Sequence, residues 1–183
     1  MRWSVIAASP VAFVSIVPAF ATSATGVASA TVIAPLSINQ TADLDFGLLA
    51  SAATSGSVTI AAEGGTSYNG GARSVCGGSG AAGSCIVAHP ARFEVSGESG
   101  HGYTVAAPAR LNIAGDALNG GTAPTLTVND LTVSTGSRPG AGPEGTVGAN
   151  GKDSFAIGGT LDLPAALIPA RYRASFPVIV TYN

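Results

Sequence analysis

The chain is poor in the residues that most biochemical functions require. Of its 183 residues only 10% are charged, with eight Lys and Arg against ten Asp and Glu, and only 6% are aromatic. So few and scattered cations cannot build a basic face, which excludes a nucleic-acid partner. Histidine occurs twice, at His89 and His101, with neither an i, i+4 relation nor an acidic cluster beside it. That argues against a metal centre. The single tryptophan, Trp3, stands at the extreme N-terminus, so no Trp platform for sugar or base stacking is available in the body of the chain. Aromatic scarcity and short strand-like runs also fit poorly with an outer-membrane barrel.

Long apolar runs are missing too, apart from Val5–Val17. That run follows Arg2, is broken by Pro10 and ends near Pro18, Ala19 and Ala21, the pattern of a secretory signal peptide cleaved after Ala21. The reading is therefore a signal peptide over 1–21 and no integral membrane segment thereafter. Export takes the chain through the periplasm to the cell surface or medium. An alternative cleavage after Ala30 would remove most of the segment that follows.

Cysteine is nearly absent, and the two that occur, Cys76 and Cys85, enclose a Gly-rich stretch. In an exported protein such a pair reads as a local disulfide. Closing so short a loop contributes about 2–3 kcal/mol in the chain-entropy model.

What the chain has in quantity is glycine, 25 residues, and short runs of period-two hydrophobicity. Strand-like runs are expected at 36–38, 44–49, 57–62, 86–88, 92–96, 103–106, 111–113, 125–128, 131–134, 154–157, 160–163 and 172–182. Turn signals Asn69-Gly70, Asn119-Gly120 and Asn150-Gly151 separate some of them. Helical periodicity is missing almost throughout. The expected fold is all-β, an immunoglobulin-like two-sheet sandwich over 35–183, complete in itself or completed by a donated strand. Stretches 63–85 and 135–151 read as long loops.

The last run alternates most strictly. Tyr172, Ala174, Phe176, Val178, Val180 and Tyr182 form one apolar face, and the sequence ends one residue later. If the fold needs a neighbour beside this strand, another segment must supply it. At the other end, 22–34 is a small-residue segment whose even positions, among them Ala28, Ala30 and Val32, are apolar or Gly. It reads equally as an extended strand and as a flexible N-terminus.

Catalytic motifs do not survive inspection. Gly140–Gly145 matches G-x-G-x-x-G by letter, but no helix follows to present its N-terminus to phosphate. Ser99 and His101 lie within Gly97–His101, yet the nucleophile-elbow pattern is not met. Asp43 and Asp45 lack calcium-loop spacing, and Asn39–Thr41 fits the glycosylation acceptor pattern. The expectation is a non-enzyme with no cofactor and no metal.

Taken in order, Ala34–Ile38, Asp43–Gly47, Gly56–Ile60, Ala91–Gly97, Tyr103–Val105, Ile157–Leu161 and the terminal strand with its penultimate Tyr182 carry a family resemblance. The chain resembles a bacterial family of exported proteins of unknown function that are similar to chaperone–usher fimbrial subunits. The resemblance implies an incomplete sandwich lacking its last strand, filled by a periplasmic chaperone and then by the N-terminal extension of the next subunit. It implies self-association into a fibre and passage through an outer-membrane usher. On that view 22–34 is the donor, with Ala28, Ala30 and Val32 facing inward, and 172–182 is the acceptor edge. Many such subunits carry Gly near the start of the terminal strand, where this chain has Ala170, and an inter-strand rather than a local disulfide. The alternative is a monomeric secreted or surface binding module whose own N-terminal segment completes its sandwich.

Overall fold

The computed structural model describes residues 23–76 and 85–183. The signal-peptide expectation for 1–21 and the stretch between the two cysteines lie outside the described residues. The chain divides into two units, Met1–Val32 and Ile33–Asn183. In the first, residues 23–32 carry no strand or turn and are exposed throughout, Val27 and Val32 each to 95%.

The second unit is all-β, an immunoglobulin-like sandwich of two sheets. Its strands are β1 (Ser37–Ala42), β2 (Gly56–Ile60), β3 (Thr66–Gly70), β4 (Ala91–Ser96), β5 (Gly102–Ala106), β6 (Leu111–Ala117), β7 (Leu126–Thr135), β8 (Glu144–Thr146), β9 (Lys152–Leu163), β10 (Ala170–Arg173) and β11 (Ile179–Tyr182). The larger sheet runs β1-β4-β9-β7-β6-β10, with the β2–β3 hairpin attached to β9. The smaller runs β11-β5-β8.

β9 organises the larger sheet. Along one side it pairs β7; along the other, Lys152–Ile157 pair β4 and Gly159–Leu163 pair β2. The handover falls at Gly158, where a Cβ would collide with the backbone of Ile60 and Ala62. Glycine is required there because two strands share one edge in succession. Two core clusters result. One gathers Phe93, Val95, Tyr103, Val105, Phe155 and Ile157, with Phe93 and Phe155 stacked at a centroid distance of 4.8 Å. The other gathers Val58, Ile113, Leu126, Val128, Leu161 and Leu163.

Several expectations require correction. The run 44–49 is no strand: Asp45 Oδ1 accepts a hydrogen bond from Gly47 N at 2.7 Å, and Gly47 turns the chain at φ 76°. Among the described residues its backbone pairs at isolated bridges, Asp45 to His89 and Leu49 to Ser74, while Leu44, Phe46 and Leu49 pack on the core clusters. Residues 86–88 likewise form no strand. Conversely, β3 and β8 lie within stretches read as loops. The separate runs 125–128 and 131–134 are one strand, β7, whose register shifts between Asn129 and Thr132 around Asp130 at φ 51°. Runs 154–157 and 160–163 join as β9.

The largest correction concerns 172–182, expected as one strand. The structure divides it into β10, paired only with β6, and β11, paired only with β5, with residues 174–178 in no strand. Pro177 has no N–H to donate to a ladder, and the two halves belong to different sheets. Phe176, Val178, Val180 and Tyr182 keep the inward alternation, and Tyr172 is half-buried, but Ala174 is exposed. Tyr172 packs on the second cluster and Phe176, Val178 and Val180 on the first, so the segment bridges both.

Candidate functional site

The terminal segment borders an opening in the body. A groove of about 1120 Å³ is lined by residues of 43–52 and of 163–176, with Val178, and reaches down to the core side chains Ile113, Leu126, Val128 and Leu161. Its lining follows from the local departures from strand geometry just described. The Gly47 turn takes 43–49 out of the ladder, and the break at 174–178 does the same on the C-terminal side. Among the described residues, 174–178 make no backbone hydrogen bond. Unpaired backbone beside apolar side chains is the surface that strand addition uses.

The volume exceeds the 300–1,000 Å³ or so typical of small-ligand pockets. Leu44, Phe46, Leu49 and Leu167 contribute apolar surface, and Tyr172 lies across Gly115, its partner on β6, with its ring where a Cβ would stand. The Tyr172 hydroxyl oxygen is shielded from water and has no partner among the described residues. Burial raises its pKa above the ordinary tyrosine value.

At the far end of β11, Tyr182 does something different. Its hydroxyl accepts a hydrogen bond from Glu98 N at 2.7 Å and donates one to Ala34 O at 2.8 Å. Glu98 Oε2 in turn accepts from Ala34 N at 3.1 Å. Both backbone polar groups of Ala34 are therefore held by side chains. Gly97 makes room, since a Cβ there would meet the Tyr182 hydroxyl and Leu36. The Tyr182 ring also meets His101 edge-on at 5.9 Å.

The expected acceptor residues Tyr172, Phe176 and Val178 do line the groove, and so does the exposed Ala174; Val180 and Tyr182 lie beyond it. Ala28, Ala30 and Val32 are exposed in the separate N-terminal unit. Cys76 and Cys85 form a disulfide, Cα–Cα 5.5 Å. Among the described residues no group of three or more His, Cys, Asp or Glu could hold a metal ion, and no helix is long and apolar enough to cross a membrane. Sequence reasoning missed the groove contribution of 43–52 and the role of Glu98, which sits in a stretch that signals only a turn.

A family model described as Domain of unknown function (DUF4402) matches residues 36–182. No curated protein matches the chain, and no solved structure does.

Proposed function

We propose that this chain, which belongs to the DUF4402 family across residues 36–182, is a structural subunit of a bacterial surface fibre, assembled by donor-strand complementation. The observation that carries the reading is the apolar groove beside the unpaired stretch 174–178. An extended segment inserted there finds free backbone groups for pairing and a cleft for alternate side chains in a single step. The donor is 22–34 of another copy, and its inward face is Ala28, Ala30 and Val32. These small side chains contribute only about 0.8 kcal/mol per buried CH₂. Main-chain pairing therefore carries much of the affinity, and the Tyr172 hydroxyl gains a partner from the incoming backbone.

Export through the periplasm, a chaperone that covers the groove before assembly and an outer-membrane usher belong to the same proposal. The disulfide is compatible with an oxidising compartment. No enzymatic step is assigned. The test is deletion of residues 22–33. Native gels of the intact chain are expected to show a ladder of oligomers that the deletion abolishes; an unchanged ladder contradicts the assignment.

A further inference from the structure

The groove wall 43–52 is bonded at two points to chain segments that each end in a cysteine. We infer that the Cys76–Cys85 disulfide fastens this wall and so puts uptake of a strand under thiol–disulfide control. The consequence for uptake rests on the donor-strand reading; the fastening of the wall does not.

Near its start the wall is bonded to the segment that leads into β4. Asp45 N donates to His89 O at 3.1 Å, and His89 N donates to Asp45 O at 2.8 Å. Gly47 lies against the same segment, since a Cβ there would stand 2.9 Å from Ile86 O and 3.1 Å from Ala88 N. Farther along, the wall is bonded to the segment that leaves β3. Val75 N donates to Leu48 O at 2.9 Å, and Ala50 N donates to Arg73 O at 3.0 Å. Cys76 follows Val75 directly, and Cys85 directly precedes Ile86. The wall, its two sets of bonds and the disulfide therefore close a ring.

The two segments are anchored unequally. Segment 86–89 leads into β4, which lies between β1 and β9 inside the larger sheet. Segment 73–75 leaves β3, an edge strand whose one ladder partner among the described residues is β2. The disulfide ties the weaker anchor to the firmer one. Leu44, Phe46 and Leu49 pack on the core clusters whether or not the bond is made, so its loss is expected to loosen the wall without unfolding the body. Both cysteines are half-buried, with exposed Val75 and Ile86 beside them, so a small dithiol can reach the bond. Reduction breaks the S–S bond and delivers two electrons and two protons to form two thiols, while the dithiol closes to its own disulfide.

The experiment compares the full chain oxidised, reduced with dithiothreitol, and as the double variant Cys76→Ser, Cys85→Ser, which needs no reductant. The chain has no other cysteine to react. Hydrogen exchange is read at the amides of Asp45, Ala50, Val75 and His89 in the monomer fraction, and oligomer distribution on native gels. Breaking the bond is expected to speed exchange of those four amides about 30-fold, the equivalent of about 2 kcal/mol and the lower end of what closing so short a loop contributes. Amides of β4 and β9 are expected to stay unchanged and the ladder to be depleted. Unchanged wall amides overturn the inference. So do β4 and β9 amides that speed up equally, because the disulfide would then support the body as a whole. A full ladder despite a loosened wall overturns the control of uptake. An oxidised chain that forms no ladder contradicts the donor-strand reading instead, and the four amides then decide whether the disulfide fastens the wall.

Discussion

Burial and an anionic acceptor act on the Tyr103 phenol in the same direction. Tyr103 is 0% exposed, and its hydroxyl donates to Asp153 Oδ2 at 2.7 Å. Desolvation first, then that hydrogen bond and the carboxylate charge, raise its pKa far above the ordinary tyrosine value of about 10. The native state thus keeps the phenolic proton that the unfolded chain releases. The stabilisation is whole below about pH 10 and is lost as pH rises from there through Tyr103's own raised value. Unfolding free energy is expected to fall above pH 10, and Tyr103→Phe to flatten that fall in urea titrations; equal slopes contradict the assignment. Tyr172 contributes with the same sign, so the slope is reduced rather than removed. Nothing in the sequence marks Tyr103 for this role, because Asp153 lies 50 residues away along the chain. Its burial is legible from the alternation of 103–106; its partner is not.

Elements that rest on periodicity alone were easiest to read. β2, β4 and β5 lie close to the expected runs, because each buries alternate residues on a local pattern. The terminal segment shows the limit of that logic. Its alternation is nearly continuous, yet hydrogen bonding changes partner from β6 to β5, a choice that depends on where two sheets separate. β9 presents the opposite case, since Gly158 and Gly159 look like an interruption and instead sit inside the longest strand. A Cβ at Gly158 would press on the backbone at Ile60–Ala62, which cannot yield as a side chain tip does. Gly158→Ala is expected to lower stability by about 2–3 kcal/mol through overpacking, read as a lower denaturant midpoint. A neutral outcome would show that the junction of β2, β4 and β9 is looser than its geometry implies.

At the scale of the whole molecule, fold class was legible because turn residues and period-two runs recur along the body. The groove was not, because it forms where 43–52 meets 163–178: Gly47 and Pro177 hint locally at breaks in the expected runs 44–49 and 172–182, but nothing local shows that the two breaks face each other. Exposed apolar edges are a hazard unless they are paired, covered or otherwise protected. Here the body offers a cleft reaching its core while the separate N-terminal unit exposes Val27 and Val32. Both fit a molecule completed by its own kind.

The most direct measurement of that claim places a photo-activated cross-linking residue at position 30. A mixture of isotopically heavy and light chains is irradiated, and the linked peptides are identified by mass spectrometry. Heavy–light links from position 30 to the groove, within 163–178 or at Ile113, Leu126 or Val128, are the predicted result. Links confined to one chain, or falling outside the groove, would contradict it.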